Sequence, residues 1–214
     1  MQNMRTVNPL VGGALVIRDR SASSRGFTLI DLVLAVALLA IVSTTALPLM
    51  QGSVGRWRAS SAASYMSSRI ARTRFEAVRR SKAVAIQFLA EPSGVTFRTF
   101  VDGNHNGVLT ADIVGGIDLP ISTPERLDHH FAGVLFGIHQ GVVGIDPNQP
   151  FNAADPIQIG SSTLLSFSTD GSSTGGTLFI RGEQKHQFAV RVLGTTGRTR
   201  VLEFEFATQT WRTR

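Results

Sequence analysis

Residues 32–47 form an unbroken run of apolar and small side chains, and a single carboxylate, Asp31, stands at its entrance. Taken from 27 to 50, the segment carries no other charge. At about 1.5 Å per residue it makes roughly 36 Å of helix, enough for the hydrocarbon core of a bilayer. An ordinary secretory signal fits poorly: the stretch is long, a charge sits at its start, and no small-x-small cleavage site follows it. A helix apolar on all sides points to lipid rather than to the edge of a soluble core. An acid inside such a helix costs about 2.5–3.5 kcal/mol when central and less near an end, so Asp31 calls for a partner.

The rest of the chain is charged very unevenly, and that decides how its net charge of +6 is read. Residues 51–82 carry eight basic residues against Glu76 alone, whereas 91–180 carry only Arg98 and Arg126 against nine acids. Basic residues return in 181–214. A uniformly basic nucleic-acid binder is therefore not indicated, and regions of opposite sign suit association with copies or relatives of the same chain. The absence of cysteine excludes disulfides, thiolate metal sites and a cysteine nucleophile.

Arg25-Gly26-Phe27-Thr28-Leu29-Ile30-Asp31-Leu32, followed by the apolar helix, resembles the type IV prepilin signal, whose usual form is Gly-Phe-Thr-Leu-Ile-Glu. The resemblance implies cleavage between Gly26 and Phe27 by a membrane prepilin peptidase, with methylation of the new N-terminus on Phe27. It implies that Asp31, standing where the family has Glu, neutralises the N-terminal amine of a neighbouring subunit. Pro48 falls where pilin helices often carry a proline, and a break is expected there on physical grounds as well, because proline lacks an N–H and crowds the preceding turn. Residues 1–26 would be the leader, long for the class, with Met4 as an alternative start and a short apolar patch at 10–17 too brief to span.

Beyond the anchor, residues 51–82 read as an amphipathic stalk helix. Ala62, Met66, Ile70, Thr73 and Ala77 recur at i+3/i+4 spacing, while Arg69, Arg72, Arg79 and Arg80 lie on other faces. Those arginines are either a solvated face or contacts to other subunits or an acidic partner. From 83 onward the period becomes two. Residues 83–89 and 94–101 read as a hairpin turning at Glu91-Pro92-Ser93, with further strands at 163–167, 177–181, 186–193 and 198–206. In the last, Leu202, Phe204 and Phe206 alternate with Val201, Glu203 and Glu205, the pattern of a half-buried strand. Residues 103–160 are rich in Gly, Asp and Pro and read as a long irregular insertion with room for one or two strands. The expected fold is α+β: a long N-terminal helix followed by an antiparallel β-domain over 83–214.

Phe167-Ser168-Thr169-Asp170-Gly171, Gly175-Gly176-Thr177-Leu178, Val190-Arg191-Val192 and Gly197-Arg198-Thr199-Arg200 resemble the GspH/FimT family of minor pseudopilins and minor pilins. With the signal and helix, the resemblance covers most of 24–214 apart from the insertion. It implies a single-pass inner-membrane protein with its C-terminal domain in the periplasm. Its implied partners are other pilins or pseudopilins, the prepilin peptidase and an inner-membrane assembly platform, and it calls for no cofactor. The leading expectation is a minor pseudopilin of type II secretion, and the alternative is a minor pilin that primes a type IV pilus or binds DNA.

Three sites remain. Arg198 and Arg200 are similar to a Gly-Arg-x-Arg motif by which FimT-type pilins grip DNA. Two arginines two apart on a strand share a face, and Trp211, Arg212 and Arg214 would add a stacking ring and two cations. The simpler alternative is a turn before the last strand. Asp102, Asn104 and Asn106, with Gly107, resemble the start of a calcium loop, but the twelfth position is Ile113 and Asp112 falls one place early, so an Asx-rich turn is the default. Asp128, His129 and His130 lack a third spaced ligand. No constellation supports catalysis.

Overall fold

The computed structural model describes residues 27–160 and 162–214, without the side chains of 44–52. Helix α1 spans Leu29–Arg80. By internal contacts the chain divides into two compact units, Met1–Thr44 and Thr45–Arg214, so the second unit includes the C-terminal part of α1. The expected break at Pro48 falls in 44–52, outside the residues whose side chains are described.

In the second unit the 3.6-residue pattern buries the stripe it predicts: Ala62, Met66, Ile70 and Ala77 are fully buried and Thr73 nearly so, with Ala59 and Ala63 beside them. Small residues dominate the stripe, so backbones approach closely. A Cβ on Gly182 would lie 2.8 Å from the Ala59 methyl. Met66 and Ile70 supply the bulk, and truncation of either to Ala should cost about 2–5 kcal/mol. The helix stops at Arg80 rather than 82. Ser81 takes a left-handed conformation at φ 51°. Its N–H then bonds the Val78 carbonyl at 3.3 Å and the Lys82 N–H bonds the Ala77 carbonyl at 3.3 Å, the paired bonds of a Schellman stop with Ser in the usual glycine place.

Strands β1 (Val84–Glu91) and β2 (Gly94–Val101) form the expected hairpin, in a register that leaves Pro92 and Ser93 as the turn. The remaining elements in chain order are α2 (Thr110–Val114), β3 (Leu119–Pro120), β4 (Glu125–Arg126), α3 (Leu127–His130), β5 (Leu135–Phe136), β6 (Ile157–Ile159), β7 (Leu164–Phe167), β8 (Gly176–Arg181), β9 (Gln187–Leu193), β10 (Arg198–Glu205) and β11 (Thr210–Thr213). They build two antiparallel sheets among the described residues. The N-terminal sheet runs β3-β2-β1-β7 with β4 also on β2; the C-terminal sheet runs β11-β10-β9-β8-β5 with β6 also on β8. The fold is thus α+β with antiparallel sheets, as expected, and β11 is an addition.

One core joins the α1 stripe to the inner face of both sheets: Ile86 and Phe88 of β1, Phe97 of β2, Leu165 and Phe167 of β7, Leu178 and Ile180 of β8, Phe188 and Val190 of β9. The outer faces are covered as well, and here the expectation for 103–160 needs correcting. Instead of an irregular loop it holds short strands paired to β2 and β8 and two short helices. Its first part lays Val108 and Ile113 over Ala85, Phe100 and Leu164 of the N-terminal sheet. Its later part, with Trp211, lays Ile138, Ile145 and Phe151 over Phe179, Ala189 and Leu202 of the C-terminal sheet. Strand β10 is consequently covered on both sides: Leu202 packs outward, whereas Val201 packs into the main core.

Candidate functional site

The N-terminal segment is built for contact with something apolar. Phe27, Leu29, Ile30, Leu32, Val33, Leu34, Val36, Leu38, Leu39, Ile41 and Val42 are all more than half exposed, and they point in every direction around the helix. Among the described residues no helix is long and apolar enough to cross a membrane; the side chains of 44–50, the end of the expected 27–50 span, lie outside those residues. Gly26 also lies outside the described residues, and Phe27 is the first described, its side chain 86% exposed.

Asp31 has a local role that the spacing Thr28-x-x-Asp31 could have revealed. Thr28 is the N-cap of α1: its hydroxyl accepts from the Asp31 N–H at 3.3 Å, while the Asp31 Oδ2 accepts from the Thr28 N–H at 3.1 Å and from its hydroxyl at 2.6 Å. This is a capping box in which the acid at the third helical position reaches back to the cap. The short Asp side chain suits that reach, and its Oδ1 makes no hydrogen bond among the described residues.

The arginines of the stalk are largely engaged within the chain. Arg56 and Arg69 pair with Glu203 and Glu125, Arg74 Nε donates to the Gly171 carbonyl at 2.9 Å, and Arg79 and Arg80 share Glu76. Glu125 gathers several partners at once. It accepts from the Tyr65 hydroxyl and from Arg69, and His130 Nε2 stands 3.5 Å away. Burial first, then the bond and charge of Glu125, push the Tyr65 phenol up to about 12. This group ties the 125–131 segment to α1, a function that sequence spacing did not suggest because Glu125 and Tyr65 are far apart in the chain.

The residues grouped as a DNA-contact patch differ in how far they are engaged within the chain. Arg198 and Arg200 are exposed, and neither guanidinium makes a hydrogen bond or ion pair among the described residues. Arg200 stands directly opposite Arg191 in the β9–β10 register, and Arg191 has Asp146 at 3.8 Å. Arg212 and Arg214, by contrast, are neutralised at home, Arg212 by Glu205 at 2.6 Å and Arg214 by Glu203 at 3.7 Å. The Trp211 ring is not free to stack on a base: it lies 5.8 Å from Phe179 and 5.1 Å from Phe204, and its N–H donates to the Val143 carbonyl at 2.9 Å. Pairing of β11 with β10 causes all three changes.

The calcium-like loop closes on itself. The Asp102 carboxylate, almost fully buried, accepts from the backbone N–H groups of Asn104 at 3.0 Å, His105 at 2.7 Å and Gly107 at 2.9 Å. Burial pushes this carboxyl up, but the three donors and the nearby His105 outweigh it and hold it below the usual range. The Asn104 and Asn106 amides both donate to Asp112 Oδ2. The loop is therefore an Asx turn braced by Asp112. Asp128 is engaged by Arg126 at 2.7 Å, and among the described residues no group of three or more acidic or histidine side chains is placed to hold a metal.

The chain is similar to the "Pilin-like protein PilA1" of Thermus thermophilus, with 37% identity over 82 residues. That match takes in 38% of this chain and 51% of the relative, so the chain spans about half the length of the curated protein it matches. No family model matches, and no solved structure does. The similarity supports a pilin-like relationship and does not single out the GspH/FimT group.

Proposed function

We propose that the chain is a structural, non-catalytic filament subunit: a pilin-like protein cut between Gly26 and Phe27, stored in the inner membrane by its 27–50 helix, and drawn from there into a bundle of like helices. The observation that carries this reading is the apolar surface from Phe27 to Val42, exposed on every side and carrying a single charge, Asp31. A helix apolar all round is stable only inside lipid or inside a bundle, and a filament subunit needs both in turn. The similarity to a pilin-like protein agrees with it.

The finer reading is a GspH-like minor pseudopilin of type II secretion, its β-domain in the periplasm, working with other pseudopilins, a prepilin peptidase and an assembly platform. Mass spectrometry of the membrane-extracted protein tests the core of it. The mature N-terminus should be a methylated Phe27, and Gly26→Val should leave the leader in place, since the peptidase needs a residue with almost no side chain. Native protein that keeps residues 1–26 counts against the proposal.

A FimT/FimU-type minor pilin is the second reading, favoured by one observation: Arg198 and Arg200 are exposed, without an ion-pair partner among the described residues, and on one face of β10. Phosphate contacts made by two such cations would give a DNA shift that weakens steeply with salt. Loss of the shift in the double variant Arg198→Ala, Arg200→Ala supports this reading, and no shift at low salt removes it.

A further inference from the structure

Between α1 and β2 lies a cavity of about 190 Å³ whose wall includes Arg69, Arg72, Glu76, Arg80, Thr99 and Ser122. Its polar groups divide into those already satisfied and those left over. Glu76 is held by Arg80 at 2.8 Å and Arg79 at 2.7 Å, and these bonds keep its carboxyl below the usual range and ionised. Arg69 is held by Glu125. The Ser122 hydroxyl accepts from the Thr99 N–H at 3.0 Å and donates to the Thr123 carbonyl at 3.2 Å. Arg72 makes no hydrogen bond or ion pair among the described residues, so the guanidinia facing the cavity exceed the carboxylates available to them.

Thr99 supplies the second, independent observation. Its register partner is Ile86, which places it in the core-facing row of β2 with Phe97, where an apolar residue is the norm. It is 6% exposed. Its N–H goes to Ser122 and its carbonyl accepts from the Ile121 N–H at 2.9 Å, yet its hydroxyl makes no hydrogen bond among the described residues, and the residue lines the cavity. This hydroxyl is not sealed from solvent, so it can exchange a water for a ligand at the cavity wall.

We propose that this cavity binds a phosphate-class oxyanion, with the Arg72 guanidinium and the Thr99 hydroxyl as its principal donors and the unused N–H groups of Arg69 and Arg80 completing the ring. The Arg72 guanidinium can only donate and the Thr99 hydroxyl can donate beside it, which suits a ligand rich in acceptors, and the planar fork of arginine matches a multi-oxygen anion. The size sets a limit: ligand pockets for drug-sized molecules run to about 300–1,000 Å³, so this site takes the anionic group rather than a whole cofactor. The anion is either a free ion or a phosphate ester at the end of a larger molecule, since both present the same oxygens.

Titration calorimetry of the full chain in detergent, at constant ionic strength set with chloride, tests this. Inorganic phosphate should give saturable single-site binding, weakened about tenfold or more by Arg72→Gln, an exposed position where the fold is not at stake. Thr99→Val should weaken it several-fold, and if that variant does not fold, Arg72→Gln alone decides. Glycerol phosphate binding as well as phosphate identifies an ester as a fitting source, and binding of inorganic phosphate alone identifies the free ion; either supports the site. No saturable heat with phosphate, acetate binding as tightly as phosphate, or unchanged binding in Arg72→Gln overturns it.

Discussion

The Arg56 guanidinium grips the Glu203 carboxylate through two parallel bonds, Nε to Oε1 at 2.7 Å and Nη2 to Oε2 at 2.8 Å. This fork joins α1 to β10, and Arg214 stands 3.7 Å from the same carboxylate. The bond from Arg56 holds Glu203 below the usual carboxylate range despite partial burial. A folded-state pKa below the unfolded one adds stability at neutral pH that disappears as pH falls through the folded value. Acid denaturation of the wild type should therefore show a limb below the ordinary Glu range that flattens in Glu203→Gln. Arg56→Ala should cost no more than about 1 kcal/mol at neutral pH, because Arg56 is half exposed.

Tyr65 is the sole tyrosine in the chain, so a tyrosinate absorbance titration reports on it alone. Its midpoint should lie near 12. Because the folded value is raised, this stability is intact below about 10 and is lost as pH rises from there through the folded value. Tyr65→Phe should remove that alkaline dependence and cost about 1 kcal/mol in denaturant melts.

Gly197 has φ +60°, and a Cβ there would fall 2.5 Å from the Gly171 carbonyl oxygen and 2.9 Å from the Arg74 Cδ. The obstruction is backbone and cannot swing aside. Gly197→Ala should destabilise by about 1–3 kcal/mol or more, measured by equilibrium denaturation, without altering membrane insertion.

Trp211→Ala should cost about 2–4 kcal/mol, since it removes a ring from the outer cluster and the bond to the Val143 carbonyl. Hydrogen exchange should speed up selectively in 138–151, the segment that Trp211 helps to hold.

At Asp31 two roles can be separated. Asp31→Asn keeps an oxygen for the Thr28 cap but removes the charge, whereas Asp31→Ala removes both. If charge pairing with a neighbour governs assembly, both variants should still be cut after Gly26 but both should be poorly incorporated into filaments, as read by shearing and immunoblot. Normal incorporation of Asp31→Asn would leave the cap as the residue's only role.

Much of the scaffold was legible in the residues because it depends on local periodicity. The buried stripe Ala62, Met66, Ile70, Thr73 and Ala77 follows from 3.6-residue spacing, and the β1–β2 hairpin from alternation around Pro92-Ser93. The Thr28-x-x-Asp31 spacing encodes the cap too, behind the more conspicuous signal of a charge in an apolar helix. What sequence left open depends on which distant segments meet. Pairing Leu202 with Thr213 set the surroundings of Trp211, Arg212 and Arg214, giving both arginines carboxylate partners within the chain. Burial of the outer sheet faces turned the 103–160 segment from a loop into a cover. Thr99 became a candidate ligand only when β2 set it against the arginines of α1. Spacing along the chain encodes the face a residue presents; the chemistry of that face depends on what folding brings against it, and no local pattern carries that information.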